Sequence, residues 1–184
     1  MNYAKIIDLG DLNCKGISKI EDIHNLVSVE YNKFGIDLKE NKVLIIGGTS
    51  DIILPLIKTI KFERKWAIIH IDSGLDCREK IAGENHNGSI FKELHAEAVK
   101  TNGKIIHFGA IGSRCTKNDA YYAIQNNGEI YWSSQIQKGT SKSKVFNGFE
   151  INSRAGILIT EILDNMSDYD IYISFDLSSV KVFG

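Results

Sequence analysis

The sequence predicts an α/β fold of three layers, with a mostly parallel sheet of about six strands between two layers of helices. Short apolar runs alternate with stretches of helical periodicity along the 184 residues. The runs are continuously apolar, as in strands buried on both faces, where a one-sided strand would alternate. Glycine and aspartate cluster where the runs end, which suits parallel βαβ units that turn from strand to helix.

In chain order, residues 4–9 read as a strand. Ile20, Ile23, Val27, Tyr31 and Phe34 fall at helical spacing, and Gly35 stops that helix. Residues 43–46, Val-Leu-Ile-Ile, read as a buried strand ending in Gly47-Gly48. A helix over 51–61 follows, with Thr49 or Ser50 as its N-cap. Residues 66–71 form the next strand, a polar loop runs to Asn87, and 89–101 are helical. A strand over 104–108, a helix over 117–126 stopped by Asn127-Gly128, and a short strand over 129–132 come next. The stretch Gly139-Thr-Ser-Lys-Ser-Lys144, with Lys142, reads as a solvated loop. A helix over 151–163 and a strand over 170–175 complete the pattern. No repeat or linker divides the chain, so 1–184 reads as one domain.

Composition narrows the function classes. Hydrophobic residues make up 43% and charged residues 24%, ordinary values for a globular protein, and the formal net charge is −1. That balance points to no nucleic-acid partner and no membrane surface. The amino terminus lacks a signal-peptide core, and no apolar run reaches the length of a membrane span, so a cytoplasmic location is expected. The three cysteines, Cys14, Cys77 and Cys115, have no regular spacing and suggest a reducing compartment. Cys77 reads as a small apolar filler.

Ligands of open parallel sheets bind beyond the carboxyl ends of the strands. Three such ends stand out: Gly47-Gly-Thr-Ser-Asp51, Asp72-Ser-Gly-Leu-Asp76 and Asp176-Leu-Ser178. Converging carboxylates repel one another unless a cation lies between them. Oxygen ligands suit Mg²⁺ or Mn²⁺. The same aspartates equally suit caps of the following helices and turns. The glycine pair at 47–48 also suggests a phosphate loop. It lacks the G-x-G-x-x-G spacing, however, and the chain has no Tyr-x-x-x-Lys pair of the short-chain dehydrogenases.

In order and spacing these motifs resemble the ureohydrolases: arginase, agmatinase and formiminoglutamase. The family's Gly-Gly-Asp-His-Ser motif and its Leu-Pro helix correspond to Gly47-Gly-Thr-Ser-Asp51 and Leu54-Pro55. Its Asp-Ala-His-x-Asp corresponds to Asp72-Ser-Gly-Leu-Asp76. Its His-Gly-Thr-x-Phe corresponds to Asn87-Gly-Ser-Ile-Phe91, and its Ser-Phe-Asp-x-Asp to Ser174-Phe-Asp-Leu-Ser178. The resemblance implies an arginase-like core, trimmed relative to the family, whose site would bind two metal ions through two histidines and four aspartates. Of those ligands Asp72, Asp76 and Asp176 remain. Ser50 and Gly74 stand at the histidine positions and Ser178 at the last aspartate. Asn87 replaces the substrate-loop histidine, and His86, one residue earlier, is a candidate proton shuttle.

Three aspartates without an imidazole suit one weakly bound Mn²⁺ or Mg²⁺ better than a dinuclear centre, whose mutual repulsion needs several anionic ligands. The resemblance therefore implies a non-catalytic relative, a pseudoenzyme with a structural, regulatory or assembly role, no resident cofactor, and a second copy or protein partner. The alternative is a divergent metal-dependent hydrolase of guanidino or amidine compounds. His24, His70, His95 and His107 are expected to be packed or surface residues. Arg114 and Asp119 are expected to form a structural ion pair or a solvated loop.

Overall fold

The computed structural model describes residues 5–138, 143–146 and 148–179. Ala4, the loop residues 139–142 with Lys142, and residues 180–184 lie outside that description. The architecture is a four-stranded parallel sheet with helices on both faces, and no described helix is long and apolar enough to cross a membrane.

Helix α1 spans Ile20–Phe34 and ends at Gly35 in the left-handed region, the C-cap conformation that glycine adopts without strain. A 3₁₀ turn, Ser50–Ile52, leads into α2, Ile53–Thr59. Strand β1 spans Lys65–Ile71, α3 Ile90–Thr101, β2 Lys104–Ala110, α4 Lys117–Gln125 and β3 Gly128–Trp132. Helix α5, Ser133–Gln137, and a hairpin of β4, Lys144–Phe146, and β5, Phe149–Ile151, precede α6, Arg154–Asp164, and β6, Tyr169–Phe175.

The sheet order is β3-β2-β1-β6, so β1 and β2 are central. The alternation of Cβ atoms along β1 divides its side chains between two cores. Trp66 and Ile68 face Ile53, Leu54 and Ile57 of α2, Phe91, Leu94 and Ala98 of α3, and Ala123 of α4. Ala67 and Ile69 face the other way, against Ile106, Phe108, Ile136 of α5, and Ile162 and Met166 at the end of α6. Each fully buried Phe or Ile here contributes about 1.5–3 kcal/mol by leaving water. Helix α4 begins with a capping box: Thr116 accepts from the Asp119 N–H at 3.1 Å, and the Asp119 carboxylate accepts from the Thr116 N–H at 3.0 Å.

Three sequence expectations change. Residues 5–9 form no strand, and residues 43–46 form none either: Leu44 is 83% and Ile46 87% exposed. Apolar composition can select a strand, but the strand persists only if a neighbour takes its backbone hydrogen bonds. Neither segment joins a ladder in the sheet, which among the described residues therefore has four strands where about six were expected. Beyond the loop residues 139–142, part of the expected connection forms the β4–β5 hairpin, and the five residues of α5 are too few to show a helical period. Of the two expectations for Arg114 and Asp119, the ion pair is not the one found: Asp119 is committed to its cap, while Arg114 is solvent-exposed.

Candidate metal centre

The candidate site lies beyond the carboxyl ends of β1 and β6. Backbone bonds carry the ladder one step past the strands: the Asp176 N–H donates to Ile71 O at 3.0 Å, and the Asp72 N–H to Phe108 O at 3.3 Å. Asp72 and Asp176 are thereby fixed at one rim. Asp76 follows in the left-handed region at φ 49°, tolerable for aspartate, and its carbonyl accepts from the Phe91 N–H at 3.0 Å. Helix α3 thus anchors the loop that carries the second carboxylate.

These residues line an open cavity of about 230 Å³ with Gly48, Thr49, Ser50, Gly74, Arg78, Asn87 and Arg114. That volume suits an ion with its waters or a small polar group. The Ser50 hydroxyl donates to Asp76 Oδ2 at 3.4 Å. A Cβ on residue 74 would stand 3.1 Å from Asp76 Oδ1 and 3.8 Å from Asp72 Oδ2, so a side chain here would project between the carboxylates, and glycine supplies none. The Ser178 side chain lies outside the described residues. Three aspartates and two arginines, Arg78 and Arg114, share the cavity wall, so the cavity presents both signs of charge.

The structure adds a group that the sequence suggested was only a packed or surface histidine. His70, fully buried, points its Nε2 at Asp72 Oδ2, 3.6 Å away, and at Asp76 Oδ2, 3.9 Å away. Its Nδ1 pairs with Ser174 Oγ at 3.2 Å, and its ring stacks on Phe91 with centroids 4.0 Å apart. Among the described residues no hydrogen-bond partner satisfies Nε2. The signal was present in the sequence: residues i and i+2 share one face of a strand, so His70 and Asp72 point the same way. His70, Asp72 and Asp76 each offer a ligand atom, all within 4.8 Å of one another.

The electrostatics separate the two carboxylates. Burial opposes ionisation of Asp72, but the nearby His70 imidazole, together with the Ser73 and Gly74 N–H groups, outweighs it and holds Asp72 at about 2. Asp76 is pushed up by burial; His70 pulls it down, and the neighbouring Asp72 charge pushes it up again. A cation between the two would relieve that repulsion.

His86 is placed elsewhere. Its Nε2 donates to Glu79 O at 3.0 Å and its Nδ1 accepts from the Gly88 N–H at 3.2 Å, so the loop backbone engages both nitrogens. Asn87 lines the cavity instead. Asp51, the other acidic residue of the first motif, is buried and paired with His24 Nε2 at 3.0 Å.

This fold and rim identify the family. The Arginase family profile matches residues 1–182, and the chain belongs to that family. Among solved structures it is similar to formimidoylglutamase from Bacillus subtilis, with TM-score 0.64 and 20% identity, over 88% of this chain and 47% of that one. It is equally similar to a variant of Trypanosoma cruzi formiminoglutamase solved with Mn²⁺, with TM-score 0.64 and 22% identity, over 87% of this chain and 49% of that one. The chain therefore spans about half the length of these relatives. No curated protein matches it.

The residues present fit one cation and not two. One imidazole and two carboxylates converge, with Asp176 on the same wall, an N/O set suited to Mn²⁺ or Mg²⁺. A bridged pair of ions needs more anionic ligands than this rim gathers.

Proposed function

We propose that this chain is a ureohydrolase-type subunit that works by assembly rather than by turnover, with a second copy of itself as the partner. The observation that supports it most is the outer edge of β6. This strand pairs with β1 on one side only, and among the described residues nothing pairs with its other edge. Ile173 and Phe175 are 56% and 54% exposed along it, and Leu177, in the 3₁₀ turn that follows, is 76% exposed. An apolar parallel edge left open is a template for pairing with another chain, and two copies meeting across a two-fold axis would close both edges at once. The one-cation site fits this reading, since it falls short of the dinuclear centre implied by the family motifs. Sedimentation of the purified chain, with and without Phe175→Asp, tests it: self-association abolished by the substitution is expected, and a wild-type chain that stays monomeric at high concentration sinks the idea.

His70 favours a second reading, a divergent hydrolase with a single Mn²⁺ or Mg²⁺ held by His70, Asp72, Asp76 and Asp176. The ion would polarise a water or a carbonyl. Asp72 would stay ionised across the working pH range, and Arg78 and Arg114 would orient an anionic part of the substrate. Turnover of arginine, agmatine or formiminoglutamate that disappears in Asp72→Ala would establish this reading over the first.

A further inference from the structure

A second cluster of metal-ligating side chains lies behind the first, between β2 and α3: Cys77 directly follows Asp76, and the His107 ring stands 5.7 Å from that of His70. Cys77, His95 of α3 and His107 of β2 are 3%, 0% and 1% exposed, and their ligand atoms lie within 4.8 Å of one another. Phe91 packs edge-on against His107 with ring centroids 5.2 Å apart, Tyr122 packs edge-on against His95 at 6.2 Å, and Leu94, Ile105 and Ala123 belong to the same core. We propose that Cys77, His95 and His107 form a buried site for one soft monovalent cation, Cu⁺, separate from the carboxylate cavity.

The hydrogen bonds already orient the ligands. His95 Nδ1 donates to Asn126 O at 2.8 Å, which leaves its Nε2 lone pair facing His107 Nε2 at 3.0 Å. A backbone carbonyl holding the far nitrogen of a ligand histidine is the usual means of fixing its tautomer. His107 Nδ1 is buried with no hydrogen-bond partner. Two imidazoles, one of them imperfectly satisfied, are an expensive way to fill a space that leucine would fill. Two nitrogens about 2 Å from a trigonal ion stand about 3.5 Å apart, so the pair opens by about half an ångström on loading.

Charge and softness select the ion. Thiolate and imidazole together suit Cu⁺ or Zn²⁺. One thiolate neutralises a monovalent ion, and the three ligands supply no second negative charge for a divalent one. Loading releases one proton, from Cys77 Sγ, and the proton of His107 Nε2 moves to its Nδ1. The ion enters without change of oxidation state.

The test is anaerobic titration of the purified chain with Cu⁺ alone, against a chromophoric Cu⁺ chelator, followed by X-ray absorption spectroscopy. One Cu⁺ per chain with one sulfur and two nitrogen neighbours is expected. Retention should be lost in Cys77→Ala and kept in Asp72→Asn and in the Cys14→Ala/Cys115→Ala double variant. The spectroscopy needs no variant, so the proposal stays testable if Cys77→Ala fails to fold. Failure to compete with the chelator, a sulfur-only coordination shell, retention unchanged in a folded Cys77→Ala, or retention of Zn²⁺ in preference to Cu⁺ would each overturn it.

Discussion

The centre of the sheet and its β6 edge are built from similar residues but sit in opposite surroundings. At the centre Ile68, Ile69, Ile105 and Ile106 are all at most 1% exposed, each flanked by paired strands and covered by helices. At the edge, Ile173 and Phe175 carry the same chemistry and remain more than half exposed. The segment 43–46 is just as apolar and joins no ladder. Apolar sequence alone therefore does not make core. A strand also needs a neighbour, which β1 and β2 have on both sides and β6, among the described residues, has on one.

The largest expected effect breaks the centre. Phe91 is fully buried and stacks on His70, so Phe91→Ala should cost about 3–5 kcal/mol in denaturant unfolding. A cost below about 1 kcal/mol would mean that the centre is looser than its burial indicates.

Acid should act on the centre next. Burial lowers His95 from 6.5 to about 4 despite its hydrogen bond to Asn126, and burial holds His107 well below its ordinary value. The unfolded chain takes up these protons first. Stability is therefore complete above pH 6.5 and falls as pH drops towards 4, by about 3 kcal/mol for His95 alone. Asp72 adds a separate loss below its ordinary value, as pH falls towards 2. Unfolding free energies measured at pH 7 and pH 4.5 check this, and His95→Leu should flatten the difference.

A smaller effect belongs to the periphery of the centre. Thr116→Ala removes one half of the capping box of α4 and should cost about 1 kcal/mol, read from the shift of the denaturation midpoint. The smallest effect sharpens the comparison most. Phe175→Ser at the open edge should change the stability of the isolated chain by less than about 0.5 kcal/mol while weakening self-association. A large loss of monomer stability would show that the edge already serves as core.

The sequence showed the centre well and the edge poorly. Strands over 66–71, 104–108, 129–132 and 170–175 are legible because their apolar runs are also buried between helices, and the observed strands match them within two residues at each end. The runs at 4–9 and 43–46 looked equivalent, because pairing depends on non-local partners that composition does not record. At the site, Asp72, Asp76 and Asp176 come to one cavity as their motif positions suggested. His70 read as a packed or surface histidine because it lies inside the strand, two residues before the motif. His86 looked suitable by residue type, but its local hydrogen bonds turn it away.

The central claim is assembly without turnover around a one-cation site, and native mass spectrometry of the purified chain, with metal content and activity read from the same sample, tests it most directly. The account predicts a species of two chains rather than the 20.6 kDa of one, no more than one Mn²⁺ or Mg²⁺ per chain, and no turnover of guanidino or formimino substrates. A monomer carrying two ions per chain, with turnover that Asp72→Ala abolishes, would contradict it.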